Sequence, residues 1–469
     1  MAVVTPLDAL ARLEAELGRA VVTTGAELQD ARRDKSGWVA PGRPLAVVNA
    51  TEVTHVQTAL RIAHEFGIAV VPRGAGTGLA GGAAGTDGAL VVSVASMNRI
   101  LEVNAEDEFA VVEPGVINQH LSDRVAPLGL VFSPDPASKA ISTVGGNIAT
   151  NAGGLLCAKY GVTREAVLGL VVVLADGSLL RTGRRSVKGV TGYDLTALFT
   201  GSEGTLGIIV EATVRLRPIA AGEVVTVGAF FTDVVSAAAA SAAVTAARIR
   251  PAVMELMDAA ALTAIDAYLE TTLSRRGASY LLVQTDGGGA HEEAASIVEL
   301  LTTAGGEVEL ARDRAQGDRL LQTRRAFHAA LEAQGTVLIE DVCVPRSRLA
   351  DMFAAIEQIA ERYSLSIPTV AHAGDGNLHP NFVLPERAGE AEAARPGADS
   401  WVPDVVWRAA NELFEAALAL GGTLTGEHGI GVLKRRWLER EIGSESLVLQ
   451  KGIKAVFDPT SIMNPGKVF

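Results

Sequence analysis

Three glycine-dense segments in the first half of this chain constrain it more than anything else in its sequence. PRGAGTGLAGG runs from Pro72 to Gly82 directly after the apolar stretch IAVV, STVGGNIATNAGG from Ser142 to Gly154, and GSEGTLGIIV from Gly201 to Val210. Glycine carries no Cβ, so such loops let backbone N–H groups converge on an anion, of which a pyrophosphate is the natural example. The first loop alone is compatible with a merely flexible connection. It lacks the Gly-Lys-Ser/Thr ending of a P-loop and the acidic residue of a βαβ dinucleotide fold. The second, led in by SPDPAS at Ser133–Ser138, mixes small residues with the side-chain donors Ser142, Thr143, Asn147, Thr150 and Asn151. Such a stretch can lie flat against a large planar group and bond its edges. Three segments of this kind in one domain are hard to read as independent loops.

The 49 glycines of 469 residues exceed the average usage of about 7%. Hydrophobic residues make up 48% and charged residues 20%, a balance suited to folded cores, and the length suggests two or three domains. A formal charge of −13 excludes a nucleic-acid partner, since no basic stripe is available to neutralise phosphates. Arg184, Arg185 and Lys188 cluster, but near a turn they read as solvated surface. Cys157 and Cys343 are too few for a disulfide framework and read as buried thiols. The N-terminus has no basic signal-peptide region, and apolar runs such as Val167–Ala175 fall far short of the roughly 20 residues of a membrane span. The expectation is a cytoplasmic protein, with peripheral membrane contact and pairing into a homodimer left open.

Periodicity predicts a helix over 52–66 ended by Gly67, strands at IAVVPRG, ALVVSV and FAVVEPG, and a helix over 115–125. VLGLVVVLADGSLLRTG reads as a hairpin turning at Asp176-Gly177, and GTLGIIVEATVRLRP as a long alternating strand. From about residue 223 the strands VTVGAFF, VMELMD, SYLLVQTD and VLIEDVCVP alternate with helices over 237–249, 291–303, 318–333 and 348–363. This order predicts an α+β unit whose antiparallel sheet is covered by helices on one face. Residues Glu386–Pro403 read as an exposed loop.

The second half adds HAGDGNLH at His372–His379 and TGEHGIG at Thr425–Gly431, so that three of only eight histidines lie in two glycine-flanked loops. His372 is expected to end one strand and His379 to begin the next. Either histidine alone could simply bond turn backbone; with Glu427 the two form a His₂-carboxylate set with an open position, suited to a divalent metal.

These segments resemble the FAD-binding domain of the vanillyl-alcohol-oxidase/PCMH superfamily, in which two α+β subdomains hold an extended FAD. HAGDGNLH and TGEHGIG resemble the signatures of the C-terminal oxidase domain shared by D-lactate dehydrogenases, the glycolate-oxidase flavoprotein subunit and D-2-hydroxyglutarate dehydrogenases. The resemblance spans about Pro41 to the terminal FDPTSIMNPGKVF. It implies a PCMH-type FAD domain at 1–220, an antiparallel-sheet substrate (cap) domain at 221–430, and a C-terminal helical segment at 431–469 returning to the FAD domain. It assigns FAD contacts to Arg73, Gly74, Ala75, Gly76, Thr77, Gly78, Leu79, Pro134, Asp135, Ser142, Thr143, Gly146, Asn147, Thr150, Asn151, Glu203, Gly207, Ile209 and Asn464. Relatives with covalent flavin often carry a His in the first loop or a Cys in the second. Here Ala75 and Thr77 occupy the first, and Cys157 lies beyond the second, which implies non-covalent FAD. The resemblance gives His372, His379 and Glu427 to a metal, expected to be zinc, His428 to the catalytic base, Arg324 to the substrate carboxylate and Asn381 to the substrate's far end.

The implied reaction is oxidation of a small D-2-hydroxy acid of the D-lactate or glycolate type to the 2-oxo acid, with hydride passing to flavin N5. The hydroxyglutarate branch carries a Thr and a Lys about where this chain has His328 and Ile339, while IEDVCVP is closer to the lactate and glycolate members. The chain has no cysteine cluster for its own iron–sulfur centre, so a quinone, cytochrome, electron-transfer flavoprotein or iron–sulfur subunit is the expected acceptor. An alkylglycerone-phosphate-synthase-like transferase and a non-flavin zinc hydrolase are the alternatives. The first lacks an evident segment for fatty substrates, and the second leaves the glycine segments without a role.

Overall fold

The computed structural model describes residues 5–186, 188–384 and 402–469. The predicted loop at Glu386–Pro403 lies, but for Val402 and Pro403, outside the described residues. Three larger sheets and a two-stranded pairing of Leu130–Val131 with Arg217–Pro218 organise the rest. In the first, strand Leu90–Ser93 is flanked in parallel by Ala46–Asn49 and Val70–Arg73, and Val21–Val22 adds antiparallel to Ala46–Asn49. Buried on both faces, the parallel strands read as continuous apolar runs. The helix Val53–Phe66 turns Val56, Leu60 and Ala63 onto this sheet and ends at Gly67 with φ +64, as its periodicity predicts.

The second sheet is antiparallel, in the order Ile100–Asn104, Phe109–Val112, Ile208–Arg215, Val167–Val173, Leu179–Gly183. Its hairpin turns at Asp176-Gly177, where Gly177 adopts φ +84. Strand Ile208–Arg215 alternates buried and half-buried residues. The predicted 115–125 helix starts at Asn118, because Pro114 and Gly115 are held in the preceding turn by Gly145 and Met97.

The third sheet has eight antiparallel strands and carries the C-terminal histidines. Helices cover both of its faces, not the single face expected. Val227, Ala229, Leu281 and Val283 pack beneath Val234–Ala246, Ala290–Thr303 and Leu349–Tyr363, while Phe230, Tyr280 and Leu282 pack against Ala259–Leu269, Arg314–Arg325 and Phe327–Glu332. Period-two alternation in these strands is masked because both faces are apolar. Two further expectations are corrected. The predicted 318–333 helix is two helices broken at Ala326, and VLIEDVCVP is two strands, Val337–Ile339 and Val342–Cys343, interrupted at Glu340-Asp341.

The C-terminus returns to the first sheet. Met463 bridges Val70 in parallel, and the Val70 N–H donates to the Ile462 carbonyl at 2.7 Å. Among the described residues, no helix is long and apolar enough to cross a membrane.

Candidate active site

The first glycine loop leaves the end of strand Val70–Arg73 and lines a cavity of about 400 Å³, within the roughly 300–1,000 Å³ range of cofactor sites. The other two glycine segments line the same cavity, so all three converge. Of the residues assigned to FAD, Arg73 to Leu79, Thr143, Gly146, Asn147, Thr150, Glu203, Gly207 and Ile209 border it. Close packing explains the glycines: a Cβ on Gly74 would lie 2.4 Å from Thr143 Oγ1, and one on Gly145 2.5 Å from Pro114 Cβ. Asn147 Nδ2 is buried, has no partner and belongs to the cavity wall. That donor and the bare loop backbone fit a flat, phosphate-bearing cofactor.

Other assigned residues hold the walls from behind. Pro134, Asp135, Ser142, Asn151 and Asn464 do not border the cavity. The Asp135 carboxylate accepts the Leu156 N–H at 3.0 Å, and burial pushes it up to about 7. The Pro134 carbonyl accepts from Asn118, and Asn151 Oδ1 accepts the Arg164 N–H. Arg73 directs Nη1 back to the Arg33 and Ala83 carbonyls, at 2.9 and 3.0 Å. Glu203 accepts the N–H groups of Ile430 and Gly431, at 2.7 and 2.8 Å, tying the third glycine segment to the TGEHGIG loop. Burial raises its carboxyl to about 7. Asp34 and Lys35 also border the cavity, and no motif marks them in the sequence.

At one end the cavity meets His428 and Glu427, with His328, Glu332 and Ile339 completing the wall. Behind it His372, His379 and Glu427 offer ligand atoms within 4.8 Å of one another. Glu427 Oε1 lies 3.1 Å from His379 Nε2 and 3.7 Å from His372 Nε2. The register of the strands produces this: His372 ends Thr369–His372, and Asn377–Val383 runs antiparallel to it, pairing His379 with Val370. That strand begins at Asn377, two residues before the expected start at His379, because the Gly374–Gly376 turn is tight and Gly376 adopts φ +92. The second glycine segment touches this end too, since a Cβ on Gly153 would sit 2.5 Å from Glu427 Oε2.

Buried carboxylates stand behind the histidines. Glu255 is fully buried and pairs in register with His372; its Oε1 lies 2.6 Å from His372 Nδ1 and its Oε2 accepts Arg324 Nε at 2.7 Å. Burial pushes the Glu255 carboxyl up, but His372 and Arg324 outweigh it and hold it below its ordinary value. The Nδ1 contact turns His372 Nε2 toward Glu427, the arrangement found around metal-bound imidazoles. Arg324 is buried off the cavity wall rather than on a solvated helix face, and only its Nε is bonded among the described residues. Asn381, expected at the far end of a substrate, is fully buried off the cavity wall, and its amide donates to the His379 carbonyl at 2.6 Å. Burial lowers His428 to about 4 and His328 to about 3, so both imidazoles are neutral at neutral pH.

Residues 221–468 match the family described as FAD linked oxidases, C-terminal domain, and residues 44–183 match an FAD binding domain. The chain belongs to the FAD-linked oxidases. The glycolate oxidase subunit GlcD of Bacillus subtilis is 41% identical over 430 residues, covering 91% of this chain and 89% of the relative. A D-lactate dehydrogenase of Archaeoglobus fulgidus is 36% identical, covering 90% of each. Among solved structures, p-cresol methylhydroxylase superposes with a TM-score of 0.79 at 20% identity, covering 98% of this chain and 96% of that one. Alkyldihydroxyacetonephosphate synthase superposes at 0.73 with 17% identity, covering 98% and 85%. The two structures share the fold of this FAD-linked oxidase, which fits the expected PCMH-type α+β architecture. Among the described residues the cavity wall contains no cysteine, and its only histidines are His328 and His428, at the Glu427 end. Cys157 is absent from that wall, and burial pushes its thiol up.

Proposed function

We propose that this FAD-linked oxidase converts a small D-2-hydroxy acid of the D-lactate or glycolate type to the 2-oxo acid. The observation that carries the reading is the meeting of the glycine-walled cavity with His428 and the His372/His379/Glu427 set at one end. The relatives named glycolate oxidase subunit and D-lactate dehydrogenase support it.

FAD, held without a covalent link, supplies the hydride acceptor when bound. His372, His379 and Glu427 would hold a divalent metal, with zinc suited to this donor set, and it would supply Lewis-acid chemistry at a 2-hydroxyl. The remaining work falls to the chain. His428 takes the hydroxyl proton at Nε2, the nitrogen beside Glu427, and burial keeps that imidazole neutral and ready to accept. Arg324, braced through Nε by Glu255, keeps its terminal nitrogens for the substrate carboxylate. His328, Glu332 and Ile339 present no cation beside Glu427, which disfavours a second substrate carboxylate and hence 2-hydroxyglutarate. Asn381 acts through His379, whose backbone it fixes. An external acceptor would take the electrons.

Anaerobic absorbance near the flavin band during titration with D-lactate, glycolate and D-2-hydroxyglutarate tests the reading. Bleaching by either of the first two, at concentrations where the third has little effect, is the expected outcome. A yellow protein bleached by none of them, or only by D-2-hydroxyglutarate, would overturn the substrate assignment.

A further inference from the structure

The break between Val337–Ile339 and Val342–Cys343 places Asp341, fully buried, against the histidine cluster. Its two carboxylate oxygens face different groups. Oδ2 accepts the Thr425 hydroxyl and the backbone N–H groups of Glu427 and His428, the latter two at 3.0 Å each. Oδ1 has no hydrogen-bond partner and lies 3.7 Å from His379 Nδ1, while a nitrogen of His428 lies within 4.8 Å of both residues. The Nδ1 atoms of His379 and His428 are themselves buried and unpartnered. The Lys434 ammonium donates to the Asp341 and Leu424 carbonyls and sits 3.8 Å from Asp341 Oδ2, fixing the break in place.

We infer that Asp341 is a positioning residue: one oxygen sets the height of the Glu427–His428 loop, and the other holds protons on the Nδ1 side of the stacked His379 and His428. The inference rests on the reading of His372, His379 and Glu427 as a metal set. At 3.7 Å the carboxylate makes no hydrogen bond to His379. It acts through its charge, which a dry interior screens weakly. With Nδ1 protonated, each ring turns its Nε2 lone pair outward, His379 to the metal position beside Glu427 and His428 to the cavity. Glu255 does the same for His372 by direct contact, so both histidines of the set have a carboxylate behind them. Asp341 adds a link Glu255 lacks, because the residue behind one ligand also anchors the backbone carrying another.

Asp341→Asn separates the two roles. The amide oxygen can still accept from the loop, while the charge behind His379 is gone. In FAD-loaded, metal-stripped protein, competition between the chain and a chromophoric chelator for Zn²⁺ should show affinity about 10–100-fold below wild type. The flavin spectrum and melting midpoint should stay unchanged, and saturating Zn²⁺ should restore part of the substrate-driven bleaching. Asp341→Ala, which also releases the loop, should lose more affinity than Asn, and Zn²⁺ should restore less. Unchanged Zn²⁺ affinity in Asp341→Asn would overturn the inference and leave the metal set standing. Two Zn²⁺ equivalents in wild type, with one lost in Asp341→Asn, would also overturn it by making Asp341 a ligand. Failure of the wild type to bind Zn²⁺ would remove the metal reading and this inference together.

Discussion

Replacing His428 by Ala removes an imidazole whose Nδ1 has no partner and whose ring stacks on His379 with centroids 5.0 Å apart. None of the three glycine segments depends on it for a hydrogen bond. His428→Ala is therefore expected to retain FAD while substrate-driven bleaching in stopped flow slows by about 10²–10⁴-fold, the usual contribution of a general base. Bleaching at the wild-type rate would remove His428 from that role. This residue was legible in the sequence because it stands with Glu427 between glycines, where a bulky polar pair has no packing reason to be. The carboxylates behind the histidine cluster were not. Glu255 lies 117 residues from His372 and sits in VMELMD, which reads as an ordinary buried strand. Only antiparallel register puts it behind the imidazole. An acid in VMELMD and an acidic pair in VLIEDVCVP, each set in an apolar run, was the available signal, since a buried carboxylate is retained only with partners.

Strands buried on both faces, such as Val225–Phe231 and Ser279–Thr285, follow from short apolar runs, and helices with a wet face follow from their period; a helix buried nearly all round does not. The helix Val53–Phe66 has one wet face and a glycine stop, so its limits follow from pattern. Ala259–Leu269 was missed because its run AAALTAIDAYL is apolar nearly all round, which hides the helical period. Its start is nevertheless specified. Asp258 accepts the Ala261 N–H at 2.8 Å as N-cap and the Thr369 N–H at 2.9 Å, joining this helix to the strand that ends at His372. Burial raises the Asp258 carboxyl from 3.8 to about 7, and Glu357 adds to the shift. A carboxyl raised in the folded state stabilises below its unfolded pKa, and that stability is lost as pH climbs through the folded pKa. Between about pH 4 and about pH 7 the wild type should lose melting temperature relative to Asp258→Asn, which caps the helix but carries no charge. Differential scanning calorimetry across that range checks it; midpoints that run parallel for the two proteins would show that the Asp258 charge costs nothing where it lies.

At the scale of the whole molecule, the cavity is closed by its last residues. Resemblance placed Asn464 at the flavin, but the structure places it one layer further out, where Nδ2 donates to the Gly82 carbonyl at 3.0 Å and the Glu203 carbonyl at 2.8 Å. These carbonyls belong to the first and third glycine segments, so one amide ties together two walls from opposite ends of the domain. Lys467 reinforces the first wall by donating to the Ala84 carbonyl at 2.8 Å. No local pattern reveals such a tie, because it joins residues more than 260 positions apart and takes shape only once Met463 has paired with Val70. Asn464→Gly isolates it. Asn464 adopts φ +44, which glycine accommodates, so the backbone is kept while both donations are lost. The Gly82 carbonyl keeps the Lys467 ammonium at 3.3 Å, so the loss falls mainly on the Glu203 carbonyl and should cost about 1–3 kcal/mol. If part of that cost falls on the loop that cradles FAD, release of flavin should become up to about tenfold easier, as 1.4 kcal/mol corresponds to a factor of ten. Flavin fluorescence during dilution of the holoprotein measures this directly. A lowered melting midpoint with unchanged flavin affinity would mean that the C-terminal return holds the first and third glycine segments together without shaping the cradle, and would confine Asn464 to stability.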